Sequence, residues 1–185
     1  MTCVIALKHK NKTYFGSDSC ATFGDLERKL TGPKVIKLND QMLVGYAGMI
    51  RGSQLMKHVD DWLPVFDTEK QTLENYMCRT FSINLMDLFK QCGYSANDLG
   101  VEEHSDNYLV GIHGRLFLID PAFQVVETTE PYYAIGSGSS YAYGVLHHIY
   151  NNQEIIDPES TITKALEASI GLCSGVTAPI HIRSI

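Results

Sequence analysis

The chain opens with short apolar runs separated by polar turns. Cys3-Val4-Ile5-Ala6-Leu7 is followed by the polar stretch 9–12 and then by Thr13-Tyr14-Phe15-Gly16, a pattern that predicts a β-hairpin. A loop over 23–33 separates it from a second hairpin, in which Val35-Ile36-Lys37-Leu38 and Met42-Leu43-Val44-Gly45-Tyr46 flank the turn pair Asn39-Asp40. From Gly48 the period changes. Ile50, Leu55, Met56, Val59, Trp62 and Leu63 recur at helical spacing as far as Pro64, and residues 76–89 carry a second helical stripe. Another hairpin is expected about His113-Gly114, between the apolar runs 108–112 and 116–119, with one more strand over 131–135. Beyond Gly138 a helix is expected through Tyr150, then a helix over 158–172 and a closing strand over 179–182. Blocks of strands and paired helices in this order suit an α+β fold of sheet packed on sheet with helices outside each face, not an alternating parallel α/β fold. No repeat, low-complexity tract or linker interrupts the pattern.

Composition narrows the class. At 185 residues the chain suffices for one well-buried core, so a single domain spanning 1–185 is expected. The 44% hydrophobic and 19% charged shares are those of a globular protein, and no apolar run approaches the roughly 20 residues that span a bilayer, so no membrane partner is expected. Lys8, His9, Lys10 and Lys12 follow the opening apolar run instead of preceding it, unlike a secretory signal, which points to the cytoplasm. The five cysteines are widely spaced with no C-x-x-C pair, which argues for reduced thiols and against zinc. A net charge of −6 without a basic block counts against a nucleic-acid partner. The seven histidines are scattered, and His147-His148 points to different sides of a predicted helix, so no metal site is expected.

Five local features can carry chemistry, and each has a plain structural explanation beside it. Thr2 directly follows the initiator methionine, where small residues are common. Gly16-Ser17-Asp18-Ser19 ends a strand with a carboxylate among small residues, as an ordinary turn would. Lys34 begins an apolar strand after Gly32-Pro33, where a snorkelling surface lysine is the default. Ala47-Gly48 lies at a strand-to-helix junction, and Gly136-Ser137-Gly138-Ser139-Ser140 runs from strand into helix as an N-cap or phosphate cradle would.

Together, in this order and at these separations, the features resemble the β-type subunits of the proteasome and the bacterial HslV peptidase, the threonine branch of the N-terminal nucleophile hydrolases. The resemblance runs over nearly the whole chain: Met1-Thr2 opening a strand, G-S-D-S-x-A-T over 16–22, P-K-V-I-K-L around Lys34, G-Y-A-G over 45–48, A-I-G-S-G-S-S-Y-A over 134–142 and the stretch from Ala165 to Gly175. It implies a four-layer αββα sandwich and a threonine-type endopeptidase in which Thr2, freed of Met1, is both nucleophile and, through its α-amine, base. Lys34 would lie beside the Thr2 hydroxyl, Asp18 would hold Lys34 charged and oriented, and the Gly48 N–H would face the developing oxyanion. Ser137 and Ser174 would bond the Thr2 amine. An extended substrate strand would enter between Ala21-Thr22 and Gly48-Met49-Ile50, with Ala21, Ile36, Tyr46 and Ile50 lining an apolar first specificity pocket. The resemblance also implies stacked homo-oligomeric rings of six or seven subunits, unfolded polypeptide or peptide as substrate, an ATPase unfoldase as a partner such rings can take, and no metal or organic cofactor.

Two departures from the pattern stand out. The family commonly carries an aspartate three residues before the serine of its last S-G motif, where this chain has Gly171, with Glu167 one helical turn earlier as the available substitute. The Gly-Asp-Gly form found in HslV around the strand-end aspartate is Ser17-Asp18-Ser19 here. Two other functions stay open on the sequence: a catalytically silent ring subunit that keeps Met1, and a small-molecule amidase of the wider superfamily that keeps the nucleophile without the ring.

Overall fold

The computed structural model describes residues 1–24, 26–98, 100–152 and 157–185. In chain order the elements are strands β1 (Val4–His9), β2 (Lys12–Ser17), β3 (Cys20–Phe23), β4 (Leu26–Lys29), β5 (Val35–Asn39) and β6 (Met42–Ala47), then helix α1 (Ile50–His58). A helical rod follows, made of α2 (Leu73–Asn75), a π-helical stretch (Tyr76–Phe81) and α3 (Ser82–Gln91). Strands β7 (Ala96–Asp98), β8 (Val101–Glu103), β9 (Asn107–Ile112), β10 (Arg115–Ile119), β11 (Val125–Glu127) and β12 (Tyr132–Ile135), helices α4 (Ser139–Asn151) and α5 (Pro158–Leu172), and strand β13 (His181–Ser184) complete the described chain.

Two antiparallel sheets lie face to face, ordered β12-β1-β2-β13 and β11-β10-β9-β6-β5. This gives the αββα sandwich, and it explains why β1 reads as an unbroken apolar run instead of alternating. Cys3, Ile5 and Leu7 pack outward on Ala142, Leu146, Ile162 and Leu166 of α4 and α5, while Val4 and Ala6 point inward at Leu43, Leu109 and Leu116 of the second sheet. The same division holds in β6, where Met42, Val44 and Tyr46 meet α1 and α3 and Leu43 meets the facing sheet. A strand covered on both faces has no solvent side to keep polar. On α5 the buried set Ile162, Ala165, Leu166 and Ser169 is a single helical stripe. It seats closely because Gly16 of β2 has no Cβ, which would collide with the Ile162 side chain.

Several elements differ from those the pattern predicts. The stretch 23–33 is not all loop: β3 and β4 pair as a hairpin, with Asp25 outside the described residues. All four β4 residues are exposed, so no apolar alternation marks the strand. Helix α1 ends at His58 instead of running to Pro64; Trp62 and Leu63 still pack on the core, but from the following loop. Trp62 Nε1 donates to the Met56 carbonyl at 2.9 Å, satisfying one of the acceptors left open at the helix end. The second turn lies one residue later, at Asp40-Gln41, because Asn39 pairs with Met42 across a bulge. Short strands β7, β8 and β11 carry too few residues for a periodic signal. The last strand starts at His181, two residues after Pro179, which has no N–H to give a ladder. All five cysteines are free. Among the described residues no helix is long and apolar enough to cross a membrane, and no group of three or more His, Cys, Asp or Glu side chains is placed to hold a metal.

Candidate active site

Register gathers the site. Val4 pairs with Ser17 on one side and Ile135 on the other, so the residues just outside those strand ends, Thr2, Asp18 and Ser137, meet at one end of the first sheet. In the second sheet Val35 pairs with Gly45, which sets Lys34 beside Tyr46, whose N–H donates to the Lys34 carbonyl at 3.0 Å. The Lys34 N–H in turn donates to Ser17 Oγ at 3.1 Å, tying the two sheets together at this end.

Lys34 is a buried, fully engaged ammonium, not a snorkelling one. Its Nζ donates to Asp18 Oδ1 and Thr2 Oγ1, each at 2.8 Å, and to the Met1 carbonyl at 3.1 Å, using all three of its protons. The side chain is 2% exposed. Burial pulls its pKa below the ordinary lysine value of 10.5, and the Asp18 carboxylate opposes that shift without cancelling it. Asp18 is fully buried and also accepts from the Cys3 and Cys20 N–H groups, each at 2.9 Å, so its orientation is fixed independently of the lysine.

Thr2 is buried at 7% exposure. Its hydroxyl accepts from Lys34 and donates to the Met1 carbonyl at 2.7 Å, and its N–H donates to Ser137 Oγ at 3.1 Å. Met1 is anchored as well: its amine donates to Thr22 Oγ1 at 2.7 Å, and its side chain packs against Gly175. The neighbouring Cys3 is no rival nucleophile, since burial pushes its thiol up to about 11 and Sγ is directed at Ser169 Oγ, 3.4 Å away.

Across the cleft, Gly48 turns the chain from β6 into α1 with φ +140, a region that side chains rarely adopt. A Cβ there would collide with Asp106 Oδ1 and stand 2.9 Å from the Asp106 Cα. Asp106 Oδ1 accepts from the Met49 N–H at 2.6 Å. The cleft between these parts has a volume of about 330 Å³ and is walled by Thr2, Ala21, Thr22, Lys34, Tyr46, Gly48, Met49 and Ile50. Ile36 lines a smaller adjoining hollow of about 180 Å³, shared with Tyr46 and Ile50. That hollow also carries Gln54, Lys57 and His58, so its rim is polar and basic where the sequence indicates only apolar walls.

The structure thus brings together Thr2, Asp18, Lys34 and Ser137 by hydrogen bonds, and Gly48, Ala21, Thr22, Tyr46, Met49 and Ile50 around one cleft. It does not bring Ser174 to Thr2: Ser174 is exposed and its hydroxyl makes no hydrogen bond among the described residues, although Gly175 beside it touches Met1. Gly171 lies in the last turn of α5 with nothing within 4 Å of where a Cβ would stand, and φ there is not positive. Glu167 is exposed and makes no side-chain hydrogen bond among the described residues, so it does not stand at the Thr2 nitrogen in place of the absent carboxylate. Asp106 and Tyr94, which back the Gly48 turn, were not legible as site residues.

A buried lysine–aspartate pair holding the hydroxyl of a strand-end threonine, between two sheets and two helical layers, defines the class: this is the N-terminal nucleophile hydrolase fold. No protein-family model matches the chain. By sequence the chain is a homologue of the HslV-like, proteasome-type threonine peptidases: it is 26% identical over 181 residues to the ATP-dependent protease subunit HslV of Aquifex aeolicus, covering 93% of this chain and 90% of that one. Among solved structures, Thiobacillus denitrificans BPH superposes with a TM-score of 0.80 at 18% identity, over 100% of this chain and 97% of that one, and has also been solved in complex with epoxomicin. The eukaryotic HslV of Trypanosoma brucei superposes with a TM-score of 0.73 at 18% identity, covering 99% and 98% of the two chains. At that identity these two likenesses concern the fold.

Proposed function

We propose that this chain is an N-terminal threonine endopeptidase that acts after removal of Met1, within a homo-oligomeric ring. The observation that carries the proposal is the 2.8 Å contact of Lys34 Nζ with Thr2 Oγ1, backed by Asp18. With Met1 gone, the Thr2 α-amine takes the hydroxyl proton, and Oγ1 attacks the scissile carbonyl. Its oxygen, carrying the charge, accepts the Gly48 N–H, a type of contact worth roughly 3 kcal/mol where such donors have been removed. The ammonium then gives its proton to the leaving amine, and water cleaves the acyl ester. Lys34 favours the alkoxide by its charge, and Ser137 orients the amine. The substrate strand pairs with the backbone of Ala21-Thr22 and Gly48-Met49-Ile50, so the backbone supplies affinity, while Ile36, Tyr46 and Ile50 select an apolar residue before the scissile bond. Stacked rings, unfolded polypeptide as substrate, an ATP-driven unfolding partner and a cytoplasmic location complete the proposal; HslV relatives are named as subunits of an ATP-dependent protease.

A second reading, the silent ring subunit, draws on Met1 itself, whose amine is held by Thr22 and whose carbonyl accepts from both Lys34 and Thr2. While Met1 remains, the Thr2 nitrogen is an amide and is no base. Intact mass combined with labelling by a threonine-directed epoxyketone, on protein from its own host, separates the two. The peptidase is expected to start at Thr2 and to gain one inhibitor mass there, in a particle that light scattering sizes as a ring. Retained Met1 with no adduct would sink the peptidase, and a labelled monomer would favour the small amidase.

The charge states fix a pH profile. The Thr2 amine must be neutral, so kcat/KM is expected to rise through its ordinary pKa of about 7.7–8.0, or earlier beside the Lys34 ammonium. Lys34 must stay charged, and burial holds its pKa below 10.5, so the alkaline limb should fall at a lower pH than an exposed lysine would allow. A plateau still intact at pH 10.5 would contradict a charged Lys34 in the rate-limiting step.

A further inference from the structure

We propose that Asp106, clamped by Tyr94 and Tyr108, is the positioning residue that aims the Gly48 N–H into the cleft, an inference that rests on the peptidase reading above. The pairing of β6 with β9 ends at Ala47 opposite Asn107, which puts Asp106 against Gly48 although 58 positions separate them in the sequence. Asp106 is fully buried. Its Oδ1 accepts from the Met49 N–H at 2.6 Å and from Ser105 Oγ at 3.4 Å. Its Oδ2 accepts from Tyr94 Oη at 2.7 Å and from Tyr108 Oη at 2.5 Å. Its own N–H donates to His104 Nδ1 at 3.1 Å.

The consequence for the cleft follows from which donor is taken. Met49 is the N-cap of α1 and has no side-chain cap, so its neighbourhood holds the open N–H groups of a helix start. Asp106 claims the Met49 N–H from behind, which fixes the Gly48–Met49 peptide, and the φ of +140 at Gly48 then sets the preceding peptide that carries the Gly48 N–H; a Cβ on Gly48 would stand 2.9 Å from the Asp106 Cα. Gly48 lines the cleft, and its N–H is the donor that the peptidase reading gives to the substrate. The clamp is itself rigid. Tyr108 is fully buried in the core between β9 and α3, Tyr94 stacks edge-on against Phe89, and Tyr108 also lies against Phe89. Burial, reinforced by the adjacent carboxylate, pushes both phenols well above the ordinary tyrosine range, so both remain hydrogen-bond donors.

The test uses the full chain, processed to Thr2, in the variants Asp106→Ala, Asp106→Asn and Tyr94→Phe. Asp106→Ala leaves the Met49 N–H and two hydroxyls without their acceptor; kcat on a small peptide should fall roughly 100-fold, with KM within about twofold. Asp106→Asn keeps one oxygen for Met49, since the tyrosine hydroxyls can turn to accept from its amide, and should recover kcat to within about tenfold of the parent. Tyr94→Phe keeps the ring and should lower kcat about threefold; it carries the test where Asp106→Ala fails to fold. Amide exchange over 47–50 should quicken in Asp106→Ala and Tyr94→Phe while β1 and residues 42–46 of β6 keep their protection. Unchanged kcat in Tyr94→Phe, a loss expressed through KM, no rescue by asparagine, or unchanged exchange over 47–50 would each overturn the proposal. A parent with Thr2 free but no peptide turnover would overturn the peptidase reading instead, and the exchange comparison would then decide alone whether Asp106 sets the turn.

Discussion

Thr2→Ala is expected to abolish peptide hydrolysis, by at least about 10⁴-fold or roughly 5 kcal/mol of transition-state stabilisation, while leaving fold and assembly intact. The size of the loss reflects that, among the described residues, Thr2 Oγ1 is the side-chain hydroxyl that Lys34 Nζ touches, its other partners being the Met1 carbonyl and Asp18. Cys3 is adjacent but its thiol is pushed up to about 11, and it faces Ser169 and not the cleft. The small structural cost reflects position. Thr2 precedes β1, so it contributes no ladder bond to that strand, and alanine keeps the Cβ. What disappears is one acceptor for Lys34, which retains Asp18 at 2.8 Å. A change of about 1 kcal/mol would move Tm by roughly 2–4 °C in a chain of this length. The measurement is turnover of a fluorogenic peptide by Thr2→Ala beside the parent, with light scattering and a melting curve on both. Comparable residual turnover would show a different nucleophile at work.

What made this site legible in the sequence is that most of its residues sit at the ends of strands whose apolar runs are easy to see. Thr2 before β1, Asp18 after β2, Lys34 before β5, Gly48 after β6 and Ser137 after β12 are each marked by the point where an apolar run begins or stops. None of those boundaries is informative alone, since turns and surface lysines produce the same patterns; their joint spacing carried the resemblance. Asp106 had no such mark. It stands in His104-Ser105-Asp106, which reads as a polar turn, and its relation to Gly48 exists only through the β6–β9 register. The basic rim at Lys57 and His58 was hidden for a related reason. Those residues lie at the polar end of α1, and only the fold shows that this end borders the hollow beside Ile36. The overlong reading of α1 has a different cause: Trp62 and Leu63 are buried by a loop that follows the helix, so the apolar period continues after the helix has ended.

Lys34→Ala is expected to lower kcat/KM roughly 1,000-fold, and Lys34→Arg is expected not to rescue it. Alanine removes an ammonium that touches Thr2 Oγ1 and Asp18 Oδ1 at once, and it leaves a fully buried carboxylate with only two backbone N–H partners. Breaking a buried pair from one side costs on the order of 3–5 kcal/mol, so the alanine variant should also melt earlier than the parent. Arginine separates charge from shape. It stays protonated, but a planar guanidinium does not fit a slot that closes on Nζ at 2.8 Å from two oxygens. Near-normal rates in Lys34→Arg would mean that positive charge alone suffices and that the contact to Thr2 is incidental. Asp18→Asn extends the argument, because the part proposed for it is to keep Lys34 charged and aimed. The double variant Asp18→Asn with Lys34→Ala should therefore be little slower than Lys34→Ala alone, the non-additivity that marks two residues acting as one unit. Losses that multiplied would instead assign Asp18 a separate task, for which its bonds to the Cys3 and Cys20 backbone supply the route.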